Sequence, residues 1–306
     1  MKKIIFLSIS LSLIAICKAQ DIVVADAVDK TPIPFVTVKF NQSGLYTNEK
    51  GILRTDLTKT KNLELHHLGY KTLRINTVDV QDTIFMQPEA TLLNEVVIDV
   101  KGHNTTFLKP LKSNNFFPSA HLLMAQEHAI VIHPKKGIAG FYVDEVTIPF
   151  HKRDKWRTKD YLKEAKAFVR VNIYEVDNNL PSTQIYSSDP IKIDAQDKEV
   201  IVLDLSHHLI QLNQKGLAFG IEFLGFYDDG DHMIHFDDDT SPYVLTTLTG
   251  KTSKFYTATT YRIYIFEEEA QFIPINDLIN RNDGFLKKEY YRNLSIGLKL
   301  SNPNPK

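Results

Sequence analysis

From Asp21 to about Val100 the chain alternates short β-branched runs with turn residues: Ile22-Val23-Val24, Phe35-Val36-Thr37-Val38-Lys39-Phe40, Leu63-Glu64-Leu65, Thr72-Leu73-Arg74-Ile75 and Glu95-Val96-Val97-Ile98. Period-two alternation at this spacing predicts half-buried strands of an antiparallel sandwich. Residues 101 to about 119 are rich in Asn, Lys, Thr and Pro, the composition of a connection. A second series of strands follows: 138–149, 168–176, 200–205, 217–226, 243–248 and 261–266. Asp177-Asn178-Asn179-Leu180-Pro181 sets a turn within the series, and 275–281 is the one segment with a helical pattern. The expected fold class is all-β, two sandwich domains. The expected organisation is 1–19 leader, 20–100 first sandwich, 101–128 linker and 129–306 second sandwich.

The leader reading rests on Met1-Lys2-Lys3, an apolar run from Ile4 to Ile16, and small residues before Gln20. A positive start and an apolar stretch too short for a helix of about 20 residues across a bilayer predict a secretory signal cut between Ala19 and Gln20. Cys17 leaves open a lipoprotein signal, although Ile16 stands where that processing takes a small residue. With the cut after Ala19 the mature chain has no cysteine, because Cys17 is the single one, so disulfides and thiol chemistry are excluded. Stability then rests on core burial, which two domains of this size supply. Of 36 basic residues three lie in the leader, so the mature chain carries 33 against 37 acidic. That balance argues against nucleic-acid binding, and no later segment is apolar enough to span a membrane as a helix. The chain is expected in the periplasm, at the outer-membrane surface or secreted.

Four landmarks occur in order: Asp29-Lys30-Thr31-Pro32-Ile33-Pro34-Phe35-Val36-Thr37-Val38, Thr47-Asn48-Glu49-Lys50-Gly51, Leu68-Gly69-Tyr70-Lys71 and Leu93-Asn94-Glu95-Val96-Val97-Ile98. Over about 80 residues the chain resembles the carboxypeptidase-like regulatory domain, a transthyretin-like sandwich of exported Bacteroidota proteins. It departs from that pattern at Val24-Ala25, where the family has a glycine, and at Asn48, where it has an aspartate. Each landmark also has a physical reading: Pro32 and Pro34 hold the chain extended before a strand, Gly51 suits a positive-φ turn position, and Gly69 bends the chain while Tyr70 caps the core edge. The second half resembles an uncharacterised jelly-roll-like module, with Arg170 to Tyr174, Leu180-Pro181 and Asp204-Leu205-Ser206 as markers. The resemblance implies an accessory sandwich and carries no peptidase activity.

Direct motifs for chemistry are missing. No His-x-x-Glu or His-Glu-x-x-His spacing occurs for a zinc peptidase, and there is no Gly-x-Ser-x-Gly elbow or phosphate-binding loop. The densest polar segment, Asp228 to Asp239, holds six aspartates. Asp228, Asp229, Asp231, Asp237 and Asp239 offer the hard oxygen ligands calcium prefers, against the alternative of a solvated acidic hairpin. In Lys152 to Lys166, seven basic residues interleave with Trp156 and Tyr161, a composition suited to stacking on a sugar or to packing back on the sheet. Glu222 stands alone among small residues on one side of Leu217 to Phe223, either lining a glycan groove or accommodating a neighbouring loop. Asp82-Thr83-Ile84 fits a short O-glycosylation motif. The leading expectation is a non-catalytic exported module that binds a cell-surface protein or glycan. The alternatives are a carbohydrate-binding protein of polysaccharide utilisation and a hydrolase with its site near the aspartate loop.

Overall fold

The computed structural model describes residues 20–41, 43–89, 105–110, 120–135, 137–152, 165–193, 200–230, 233–234, 243–245, 247–249, 253–282 and 292–302. The protein is all-β, and it divides into two compact units, residues 1–91 and 92–306.

The first unit contains β1 (Gln20–Asp26), β2 (Thr37–Phe40), β3 (Ser43–Tyr46), β4 (Ile52–Thr55), β5 (Asn62–His66), β6 (Leu73–Asn76) and β7 (Thr83–Met86). They form two sheets, β4-β1-β7 and β3-β2-β5-β6. Alternate residues of each sheet meet in one core: Ile22 and Val24 of β1, Leu53 of β4, Ile84 and Met86 of β7 face Val38 of β2 and Leu63 and Leu65 of β5. Period-two side chains buried on one face only are what a sandwich requires. The pairing is not wholly antiparallel, because β1 runs parallel to β7 while lying antiparallel to β4.

The turn chemistry read from the landmarks is realised in detail. Gly51 has φ +70, and a Cβ there would lie 2.9 Å from Pro32 Cβ and 3.0 Å from Val24 O. Both the conformation and the close approach call for glycine. Asn48 Oδ1 accepts from the backbone N–H groups of Lys50 and Ile52, each at 2.9 Å, a role open equally to an aspartate oxygen. Gly69 takes φ +85, and the Tyr70 hydroxyl donates to Asp26 Oδ2 at 3.0 Å. Burial and that carboxylate push the tyrosine up to about 12. The Leu93–Ile98 landmark lies outside the described residues.

The second unit contains β8 (Thr105–Leu108), β9 (Ala120–His121), β10 (Gln126–Pro134), β11 (Tyr142–Lys152), β12 (Lys166–Asp177), β13 (Leu180–Ser187), β14 (Ile191–Ile193), β15 (Val200–Asp204), β16 (Leu217–Tyr227), β17 (Met233–Ile234), β18 (Tyr243–Leu245), β19 (Thr247–Thr249), β20 (Tyr256–Tyr264), β21 (Ile273–Pro274), β22 (Arg292–Leu294) and β23 (Gly297–Ser301), and the helix α1 (Ile275–Asn282). A larger sheet runs β13-β12-β16-β10-β20-β21, with β14 also on β12 and β17 on β16. A smaller sheet runs β8-β23-β11-β18-β9, with β15 also on β11, and β19 pairs with β22. The core between the two sheets draws Ile130, Ile132, Val169, Val171, Ile173, Phe219 and Phe223 from the larger and Val146, Ile148, Phe150, Leu298 and Leu300 from the smaller.

Two expectations change here. The stretch 101–128 is not all connection: Thr105–Leu108 pairs with β23, Leu108 and Leu122 are buried, and β10 begins at Gln126. Its strands are short and rich in polar residues, so composition hides them. The strand expected from 138 starts at Tyr142, because Gly137 (φ +105) and Gly140 (φ +87) turn the chain first. The turn at 178–179 is a two-residue hairpin with Asn178 at φ 49 and Asn179 at φ 64. Asp177 pairs with Leu180 across it, as a type I′ turn between twisted strands demands.

Candidate functional site

The larger sheet of the second unit concentrates the unusual chemistry. Strand alternation sends Val169, Val171 and Ile173 into the core, and therefore Arg170, Asn172 and Tyr174 to the opposite face. The same rule places Ala218, Gly220 and Glu222 of β16 and Glu127, Ala129 and Val131 of β10 on that outer face. Register then aligns them. Arg170 stands opposite Glu222, which stands opposite Glu127, and the next row is Asn172, Gly220 and Ala129.

These groups are buried despite their charge: Glu127 is 3%, Glu222 4% and Arg170 6% exposed. They are wired to one another. The Asn172 amide donates to Glu127 Oε2 at 3.2 Å and to Glu222 Oε2 at 3.1 Å, dividing its two hydrogens between two carboxyls. The Tyr174 hydroxyl donates to Glu127 Oε2 at 2.8 Å, and Arg170 Nη1 lies 3.5 Å from Glu222 Oε2. Asn172 is held in turn by Gln184 and Ser187 of β13, both donating to its Oδ1 at 2.9 Å. Glu127 Oε1 has no hydrogen-bond partner among the described residues. It occupies the space above Gly220, where an added Cβ would lie 1.7 Å from it. A bare glycine in the middle of a strand is explained by that approach.

Burial, then the neighbouring Glu222, push the Glu127 carboxyl up to about 8, against the opposing hydrogen bonds from Tyr174 and Asn172. Tyr174 is pushed up as well, mainly by burial. Beside the network lies an apolar patch of Val131, Tyr174, Val176, Ala218 and Tyr261, with Phe272 packed edge-on to Tyr174 at 5.6 Å. On the inward face of β10, His128 Nε2 accepts from Arg262 Nε at 3.1 Å. Burial, with Arg262 and His121 behind it, pushes this histidine down to about 3, so it is neutral and serves as an acceptor.

An acid beside a carboxylate is an arrangement used in general acid–base catalysis. Here it is closed off, with both carboxyls at most 4% exposed. The smaller sheet presents the opposite picture. Leu108, Ile201, Val146 and Leu298 turn inward, leaving Phe107, Val202, Thr147 and Lys299 outward. Phe107 is 62% and Val202 55% exposed. Across this face Phe107 is level with Lys299, Lys299 with Glu145, and Glu145 with Asp204. Lys299 Nζ sits 5.7 Å from the Phe107 ring centre.

The residues singled out in the sequence are scattered relative to this geometry. Glu222 is in the buried network and does not line an open groove, because it is only 4% exposed and Asn172 and Arg170 engage its carboxyl. Asp229 is exposed and 3.7 Å from Lys166, and Asp228 is half-buried at the end of β16. Asp231, Asp237, Asp239, Trp156, Tyr161 and Ala19 lie outside the described residues, while Gln20 opens β1. Among the described residues no group of three or more His, Cys, Asp or Glu is placed to hold a metal ion. No helix among them is long and apolar enough to cross a membrane. Thr83 of the glycosylation motif is half-buried in β7, level with Val23. Glu127, Asn172 and Tyr174 stand in no catalytic or metal-binding motif of the sequence, and only strand register brings them together.

The chain matches no protein-family model and no curated protein sequence. Among solved structures it is similar to the cysteine protease and lectin-like domains of Cwp84, a surface layer associated protein of Clostridium difficile, at 9% identity and a TM-score of 0.33. That likeness covers 95% of this chain and 65% of the other, and it is too low to carry a fold or an activity across.

Proposed function

We propose that this chain is an exported, non-catalytic protein of the cell envelope or the secreted fraction, and that it binds a cell-surface protein or glycan through the outer face of the smaller sheet. The observation that carries this reading is the exposure of Phe107 and Val202 on one sheet face, together with Lys299, Glu145 and Asp204. An uncovered aromatic and an aliphatic side chain set among charges have the make-up of a contact patch. The leader-like start of the sequence and the resemblance of residues 21–100 to an accessory sandwich support export and a binding role. The buried carboxyl pair belongs, on this reading, to the architecture of the fold.

The test is sedimentation of the purified mature chain with isolated cell envelopes, native, protease-treated or periodate-oxidised. Combined Phe107→Ser and Val202→Ser is expected to lower binding at least tenfold, while Glu127→Gln leaves it unchanged. Loss after protease marks a protein partner, and loss after periodate a glycan. Turnover of a peptide or glycan substrate that disappears in Glu127→Gln or Glu222→Gln would overturn the proposal, as would binding indifferent to the Phe107 and Val202 substitutions.

A further inference from the structure

The buried network has a charge imbalance that follows from its composition. Two carboxyls, Glu127 and Glu222, share one guanidinium, Arg170, and Arg170 lies against Glu222. The groups that face Glu127 are Arg170 and Tyr174 from β12 and Glu222 from β16. β13 contributes only the neutral Gln184 and Ser187, acting through Asn172. The residue level with Glu127 on β20 is Ile263. Were both carboxyls ionised, one negative charge would be buried without a countercharge among the described residues, which proteins avoid by changing protonation state.

The placement of the cation and of the hydrogen bonds bears on which carboxyl takes the proton. Glu222 has the cation. Glu127 has two neutral donors, Tyr174 and Asn172, on Oε2, and an Oε1 with no partner above Gly220. That oxygen has none of the donors an anionic oxygen needs, and it is the atom best able to carry hydrogen.

We propose that Glu127 and Glu222 form a unit with one proton and one charge, Glu127 being a carboxylic acid in neutral solution and Glu222 the carboxylate of Arg170, so that alkali loosens the outer face of the larger sheet. The direction of the linkage follows from the raised Glu127 value. A carboxyl whose folded value lies above its unfolded one contributes stability that is fully present below the unfolded value, near 4.5, and is lost as the pH rises through about 8. Because Tyr174 bonds Glu127 and also packs against Phe272, ionisation acts on the apolar patch as well as on the pair.

Carbon-13 NMR of the full chain, labelled at glutamate carboxyls, tests this directly. One carboxyl is expected to stay protonated at pH 7, to titrate well above the ordinary glutamate range, and to be absent from the Glu127→Gln spectrum. In Glu222→Gln the same signal is expected to titrate at lower pH, since its anionic neighbour is gone. The urea midpoint of the second unit should fall from pH 5 to pH 9 in the parent and less steeply in Glu127→Gln. If every glutamate of the folded parent titrates near its ordinary value, the proposal is wrong, and that reading does not depend on either variant folding. A high-titrating signal that survives Glu127→Gln, or that does not move in Glu222→Gln, overturns it equally.

Discussion

The two outer faces of the second sandwich are built by the same alternation and end in opposite states. On the larger sheet the outward positions of β12, β16 and β10 carry Arg170, Asn172, Glu222 and Glu127, and all are buried. On the smaller sheet the outward positions of β8 and β15 carry Phe107 and Val202, and both are more than half exposed. Charged groups are therefore buried on one face, while on the other Phe107 and Val202 stand exposed among Lys299, Glu145 and Asp204. Alternation decides which residues share a face, but it does not decide which face meets water. Neighbouring strands and the packing over them decide that. A buried polar face must satisfy its own hydrogen bonds; an exposed apolar patch is left available to a partner.

The strongest way to break this contrast is Asn172→Leu. It removes the amide that bridges both carboxyls and leaves Gln184 and Ser187 without their acceptor. Leaving buried hydrogen-bonding groups without partners costs about 1–3 kcal/mol each, and more where the group is charged, seen as a lowered urea midpoint of the second unit. A loss below about 1 kcal/mol would mean that water reaches the network and that the two faces differ less than their burial indicates.

Gly220→Ala is expected to have the next largest effect. Its Cβ would meet Glu127 Oε1 at 1.7 Å and Tyr174 Cε2 at 3.2 Å, so the glutamate must leave its position. Overpacking of this kind costs about 1–3 kcal/mol. In the double variant with Glu127→Ala the cost should shrink, because the obstructing carboxyl is gone. Additive losses in that cycle would place the strain in the backbone instead.

Much of the fold was legible because its determinants are local. The Asn178-Asn179 turn follows from two residues that tolerate positive φ, and Gly51 follows from the turn it makes. The core strand Leu217 to Phe223 declares its inward face by alternation. The buried network was not legible, for a reason that lies in register. Glu127 and Asn172 are 45 residues apart in the chain, and they meet only because β16 lies between β10 and β12 with Gly220 level with Ala129 and Asn172. Glu222 drew notice as the one charged residue among small ones, yet its partners lay on two other strands. Glu127 falls inside 101–128, the span expected to be a linker, and the rest of β10 opens as a run of Ala129, Ile130, Val131 and Ile132 with no alternation to mark its outward side. A central strand covered on both faces has that appearance, and it was the one local sign that the polar residues beside it were to be buried.

The smallest expected effect sharpens the contrast from the other side. Phe107→Ser and Val202→Ser alter the same sandwich, but their side chains point away from the shared core and stand 62% and 55% exposed. Substitutions at such positions change stability by about 0.5 kcal/mol or less, so the urea midpoint of the double variant should coincide with the parent's. Lys299, which lies over the Phe107 ring, would lose only an exposed cation–π contact, of about 0.5–1 kcal/mol at most. A stability lowered by more than about 2 kcal/mol, beyond what the allowances for two surface substitutions and one cation–π contact permit, would show that Phe107 and Val202 support the sandwich itself. Among the described residues the smaller sheet would then have no uncommitted large apolar side chain to offer a partner, and the distinction between a face that holds the fold and a face that meets the surroundings would fail at the side where binding is placed.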